Sequence, residues 1–191
     1  MTVWLHQERA SVIPFGAPDQ RTVFTPKHIA IEKTDGGVVA ELGNPRASFA
    51  GHEMTTPWNP LHRAYFNGYA LWTYLTTPFL LTLPGVVVEE LSPWSEAGER
   101  WHRLRARIPT RIATHSAVQD FFFGSDLLLR RHDYYVDVAG GFAAAQRVYD
   151  YEEASGIWFS TKRRAFTRGT DDRVVEDPLM VSINLSNFRF A

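Results

Sequence analysis

The stretch Ala64–Val88, AYFNGYALWTYLTTPFLLTLPGVVV, runs for 25 residues without an Asp, Glu, Lys, Arg or His. No other feature limits so strongly what the chain can fold into, because a segment this apolar has to leave water. Its length permits a membrane helix, since roughly 20 apolar residues span a bilayer. Its content does not: Asn67, Gly68 and four threonines lie inside it, and Pro78 divides any helix into pieces too short to cross. No transmembrane segment is expected. A helix that is apolar all round must be buried all round. Two arrangements satisfy that, a core helix, or a lid laid against an apolar cavity in a curved sheet.

Pattern along the chain supplies the sheet. Arg21–Phe24 and Lys27–Lys33 read as strands, Asp35-Gly36-Gly37 as a turn and Val38–Leu42 as the returning strand of a hairpin. Asn59 is placed to cap a helix whose first residue is Pro60, with Leu61, Tyr65, Tyr69 and Trp72 near helical spacing and an end near Thr76. Beyond Pro84-Gly85, seven further strands are expected over 86–91, 100–108, 114–123, 127–138, 143–153, 157–168 and 179–190. They are separated by turn chemistry such as Gly124-Ser125-Asp126, Gly140-Gly141 and Ser155-Gly156. Short turns between successive strands argue for an antiparallel meander. The expected fold is therefore mainly β, in the α+β sense. It is a curved antiparallel sheet or half-barrel of about 9–11 strands with a short helical lid or plug. At 191 residues it is read as one domain: first strands in 1–55, the helical segment in 57–84 and the meander in 86–190.

Alternation assigns faces. Over Trp101–Ile108, Leu104, Ala106 and Ile108 share one side with His102, and Arg103, Arg105 and Arg107 share the other, expected to be wet. In the last strand Leu179, Val181, Ile183 and Leu185 alternate with polar residues in the same way.

Charge and cysteine exclude whole classes of function. Twenty basic side chains against 21 acidic ones leave a net charge of −1, so no global field draws the chain to nucleic acid. The absence of cysteine removes disulfides, thiolate metal sites and thiol nucleophiles. Gly-x-Ser-x-Gly and phosphate-loop patterns do not occur. No metal or other cofactor is expected. The opening Met-Thr-Val-Trp-Leu-His-Gln-Glu-Arg has no secretory pattern, so a cytoplasmic, soluble protein is expected.

Several stretches together carry a resemblance: Thr114-His115-Ser116 with Gln119 and Phe121–Phe123, Leu128–Tyr134, Tyr149-Asp150-Tyr151, Gly156-Ile157 with Thr161–Arg164, and Val181–Leu185. The combination resembles uncharacterised bacterial proteins that share the half-barrel fold of LolA-type lipoprotein carriers. The resemblance implies an incomplete antiparallel barrel around short helices, with acyl chains between them. Against such carriers the amino end reads as shortened.

Three functional expectations follow. The first is a binding protein for an apolar, lipid-like small molecule, lined by Phe66, Tyr69, Trp72, Phe79, Phe121 and Phe123, because aromatic-rich apolar pockets suit such ligands. The second is an enzyme using the same cavity, with His115 as base and Asp133 as its orienter, His132 being the other candidate. Which of these side chains meet depends on hairpin register. A two-residue loop at 124–125 pairs His115 with Tyr134, and a loop one residue longer pairs it with Tyr135. The third is a ligand-free interaction module, a homodimer through an open sheet edge. Arg103, Arg105, Arg107, Arg163 and Arg164 are either solvated or available to an anionic head group, with Asp150, Glu152 and Glu153 as their natural partners.

Overall fold

In the computed structural model, which describes residues 1–190, the chain is mainly β with one α-helix and divides into two compact units. The first comprises Met1–Val86, Pro109–Ala117 and Asp137–Gly141, and the second comprises Val87–Ile108, Val118–Val136 and everything from Phe142 on.

The first unit is a five-stranded antiparallel sheet in chain order, β1 (Thr2–Trp4), β2 (Arg9–Ser11), β3 (Gln20–Thr25), β4 (His28–Lys33) and β5 (Val38–Gly43). The β4–β5 turn is built as its residues demand. Gly36 takes φ 97°, and the Asp35 carboxylate accepts the Gly37 amide at 2.9 Å.

Helix α1 runs Pro60–Thr76, with the Asn59 side chain accepting the His62 amide at 2.8 Å, the cap and first residue read from the sequence. At 1.5 Å per residue it is about 26 Å long, and it packs on β2, β3 and β4. Gly68 makes this approach possible, since a Cβ there would sit 2.3 Å from Phe24 Cγ. Ala64, Tyr65, Tyr69, Ala70 and Trp72 are buried with Phe24, Ile29 and Ile31 of the sheet. The helix that carries the first half of the charge-free run is thus the core element of the first sheet. The strands of this first sheet give it an apolar surface of its own. The Trp72 indole N–H donates to the carbonyls of Trp4 and Gln7, tying the β1–β2 turn to the helix. A 3-10 turn, Phe79–Thr82, follows Pro78.

The second unit is an eight-stranded antiparallel sheet, comprising β6 (Val87–Glu96), β7 (Glu99–Arg107), β8 (Val118–Phe123), β9 (Leu129–Val136), β10 (Phe142–Ala154), β11 (Ile157–Arg168) and β12 (Val174–Val175), with β13 (Val181–Asn184) also pairing β11. Strand order follows the chain, as a meander requires. Three boundaries differ most from expectation, the first being β6, which continues past 91 to Glu96. Residues 114–117 precede β8 instead of belonging to it, because they pack in the first unit, and only 181–184 of the expected last strand pair.

Candidate functional site

The β8–β9 hairpin sets which polar groups face one another. Asp120 lies opposite Asp133, Phe121 opposite His132 and Phe122 opposite Arg131, with a bulge before Phe123. Neither register expected for His115 occurs. Gly124 to Leu128 form a longer loop, closed by the Gly124 amide donating to the Leu128 carbonyl, and each added loop residue shifts the pairing. His115 lies outside β8, and its carbonyl accepts the Asp137 amide at 3.2 Å.

In the first unit, the ring of His115 is fully buried, 2.7 Å from the Tyr74 hydroxyl through Nε2 and packed with Phe66, Tyr69 and Tyr74. Arg46 organises this region. Its guanidinium donates to the Thr114 carbonyl at 2.8 Å and to the Asp137 carboxylate at 3.0 Å, pinning the two excursions of the chain that return here. Burial, with Arg46 adding to it, pushes the His115 imidazole down to about 3. Such a ring is neutral near pH 7 and holds a proton too weakly to serve as a general base there. Glu8 is moved the other way. Burial pushes its carboxyl up to about 8, against the pull of the Ala113 amide and Arg46. Burial likewise raises the Tyr65 and Tyr69 phenols.

Of the expected lining residues, Tyr69 and Trp72 are buried in the first unit, Phe66 is half-buried between Trp58 and Tyr69, and Phe79 is 56% exposed on the 3-10 turn. Phe121 and Phe123 belong to the second unit and are buried on β8. Asp133 belongs there too, and its carboxylate is taken by guanidinium groups, Arg131 at 2.7 Å through both oxygens and Arg168 at 3.5 Å.

The two faces of the eight-stranded sheet have opposite characters. Register places Leu104, Phe121, His132, Gln146, Ala165 and Val181 in one row across β7, β8, β9, β10, β11 and β13. Ala106, Phe123, Tyr134 and Val148 extend this side. It is dry but not wholly apolar. His132 stacks on Phe121 at 4.3 Å and meets the Gln119 side chain at 2.6 Å, and Arg163 donates to Gln146 Oε1 at 2.9 Å. Gln146 is fully buried, and its amide nitrogen has no hydrogen-bond partner among the described residues.

The opposite face carries a lattice of arginines and carboxylates. One row holds Arg105, Asp120 and Asp133, and the next holds Arg103, Phe122, Arg131, Arg147 and Arg164. Two carboxylates directly opposite repel, and here each is neutralised separately. Arg103 and Arg105 both donate to Asp120, holding its carboxyl below the usual range despite burial, and Arg131 and Arg168 serve Asp133. This corrects two expectations. On β7, Arg103 and Arg105 are ion-paired instead of wet, Arg103 being only 15% exposed, and Arg107 is exposed as expected. The partner of both paired arginines is Asp120, with Asp172 also 3.7 Å from Arg103, in place of Asp150, Glu152 and Glu153, because register brings the β8 acid beside the β7 arginines. Asp120 is the residue the sequence reading missed. The isolated acid in Val118–Phe123, an otherwise uncharged strand, was the available signal.

Among the described residues no group of three His, Asp or Glu side chains is placed to hold a metal ion, and no helix is long and apolar enough to cross a membrane.

No family model and no curated protein matches this sequence. Solved structures do resemble it. A DUF1329 family protein from Desulfovibrio piger aligns with a TM-score of 0.50 at 12% identity, over 83% of this chain and 64% of the other. A domain described as an outer membrane lipoprotein-sorting protein from Vibrio parahaemolyticus aligns at 0.48 and 10% identity, over 83% and 64%. A LolA superfamily protein from Nitrosomonas europaea aligns at 0.41 and 11% identity, over 86% and 76%. The chain spans 64% of the length of the first two. The likeness to the Desulfovibrio piger structure is one of fold and shows nothing of activity.

Proposed function

We propose that this chain binds an apolar, lipid-like small molecule against the dry face of its eight-stranded sheet. The observation that carries the reading is the composition of that face. A row of Leu104, Phe121, Ala165 and Val181, flanked by Phe123 and Val148, places hydrocarbon side chains on five strands. Within it, Gln146 keeps a buried amide nitrogen with no protein partner. A buried donor without an acceptor costs about 1–3 kcal/mol, a cost that a ligand carbonyl or carboxylate on the same face would remove. Phe121 and Phe123 are the lining residues in this reading, and Gln146 takes the polar end of an otherwise aliphatic molecule.

The experiment is extraction of purified protein with organic solvent and mass spectrometry of the extract, paired with displacement of a fluorescent naphthylamine probe by long-chain fatty acids. A co-purifying amphipathic compound, and probe binding weakened by Phe121→Ala or Gln146→Leu, are the expected results. Clean extracts together with no saturable probe binding would refute the reading.

A further inference from the structure

The two faces of the eight-stranded sheet bury charge differently. Arg163 lies on the dry face, opposite Val148 of β10 and Ile183 of β13, and is 4% exposed. The buried carboxylates of the unit, Asp120 and Asp133, lie on the other face, where Arg103, Arg105, Arg131 and Arg168 take them. Among the described residues, the buried side chains of the dry face thus include a guanidinium and no carboxylate.

Arg163 sets the orientation of Gln146. Its Nη1 donates to Gln146 Oε1 at 2.9 Å. A side-chain amide carries its acceptor on one atom and both its donors on the other. With the oxygen held by the guanidinium, the nitrogen is turned away from it, and the reverse orientation would set N–H against N–H. That nitrogen is the buried donor without a protein partner. His132, directly opposite Gln146 on β9, is engaged through Nε2 with Gln119 Oε1 at 2.6 Å.

The pair therefore presents an N–H donor with a positive charge behind it. Hydrogen bonds in such a chain polarise one another, and in a dry setting the charge is felt over several ångströms. A neutral acceptor, a hydroxyl or an ester, satisfies the amide alone. An anionic acceptor satisfies the amide and is also attracted by the guanidinium.

We propose that the lipid-like ligand is an acid, whose carboxylate accepts from Gln146 Nε2 beside Arg163 while its chain lies on the apolar residues of the same face. This rests on the apolar-ligand reading above and names the ligand class within it, a long-chain carboxylate in preference to an alcohol, an ester or an amine.

The test displaces the naphthylamine probe from the full wild-type chain near pH 7 with four ligands of matched chain length: dodecanoate, 1-dodecanol, methyl dodecanoate and dodecylamine. Dodecanoate should act at about tenfold lower concentration than the alcohol or the ester, because a charge-assisted hydrogen bond is about twice as strong as a neutral one. The amine, with its charge reversed, should be the weakest. Arg163→Gln should bring the acid to the level of the alcohol and leave the alcohol unchanged, and Arg163→Lys should keep part of the preference. The wild-type series decides by itself if a buried substitution does not fold. Equal displacement by acid, alcohol and ester overturns the inference and leaves the apolar reading standing. An amine as effective as the acid does the same, and so does a folded Arg163→Gln chain that keeps the full preference. No displacement by any of the four overturns the apolar reading and the inference together.

Discussion

Replacing Glu8 by Gln isolates one buried charge and shows its effect as a pH profile. The carboxyl is raised from 4.5 to about 8 in the folded chain, chiefly by burial. Between those values the native state binds a proton that the unfolded state has released, so stability falls as pH rises through the window and levels off above pH 8. At 1.36 kcal/mol per pH unit the ceiling of that loss is about 5 kcal/mol. Glu8 is only partly buried, so water screens some of it and about 2–4 kcal/mol is the expected effect. Gln keeps the shape and stays neutral. Glu8→Gln should match the wild type near pH 4.5 and exceed it by about 2–4 kcal/mol above pH 8. Urea unfolding followed at several pH values measures this, with hydrogen exchange of the α1 amides reporting the first unit directly. A difference that does not grow with pH, or a Gln variant less stable above pH 8, would show that Glu8 is ionised and paired in the native state.

Two further substitutions probe the same unit. His115 works with opposite sign, because its folded value of about 3 lies below the unfolded value of 6.5. Its contribution is complete above pH 6.5 and declines as pH falls, by about 2 kcal/mol at pH 5, and His115→Phe should flatten that acid limb in the same titration. Gly68→Ala should destabilise by about 1–3 kcal/mol despite the better helix propensity of alanine, since the added Cβ meets Phe24 at 2.3 Å; a thermal midpoint equal to wild type would contradict the close packing of α1 on β3.

What could be read from the residues alone was local. The run without charge, Asn59 ahead of Pro60 and Pro78 beyond Thr76 specify the helix and both its ends, because capping and the missing proline amide act within a few residues. Asp35-Gly36-Gly37 and Ser155-Gly156 specify their turns for the same reason, since positive φ is a property of single residues. Antiparallel order followed from short connections.

What the helix lies against, and what each charge faces, were decided only in three dimensions. A helix apolar on all sides announces that it will be buried but not by which sheet, and the fit of Gly68 to Phe24 selects β2–β4. The Asp120–Asp133 juxtaposition and the arginines that neutralise it depend on hairpin register, which the loop length and the bulge at Phe123 set. Register turns residues distant in sequence into neighbours, and short-range pattern carries no record of it. Arg103 therefore reads as a solvated strand residue in the sequence and is an ion-paired, largely buried one in the fold.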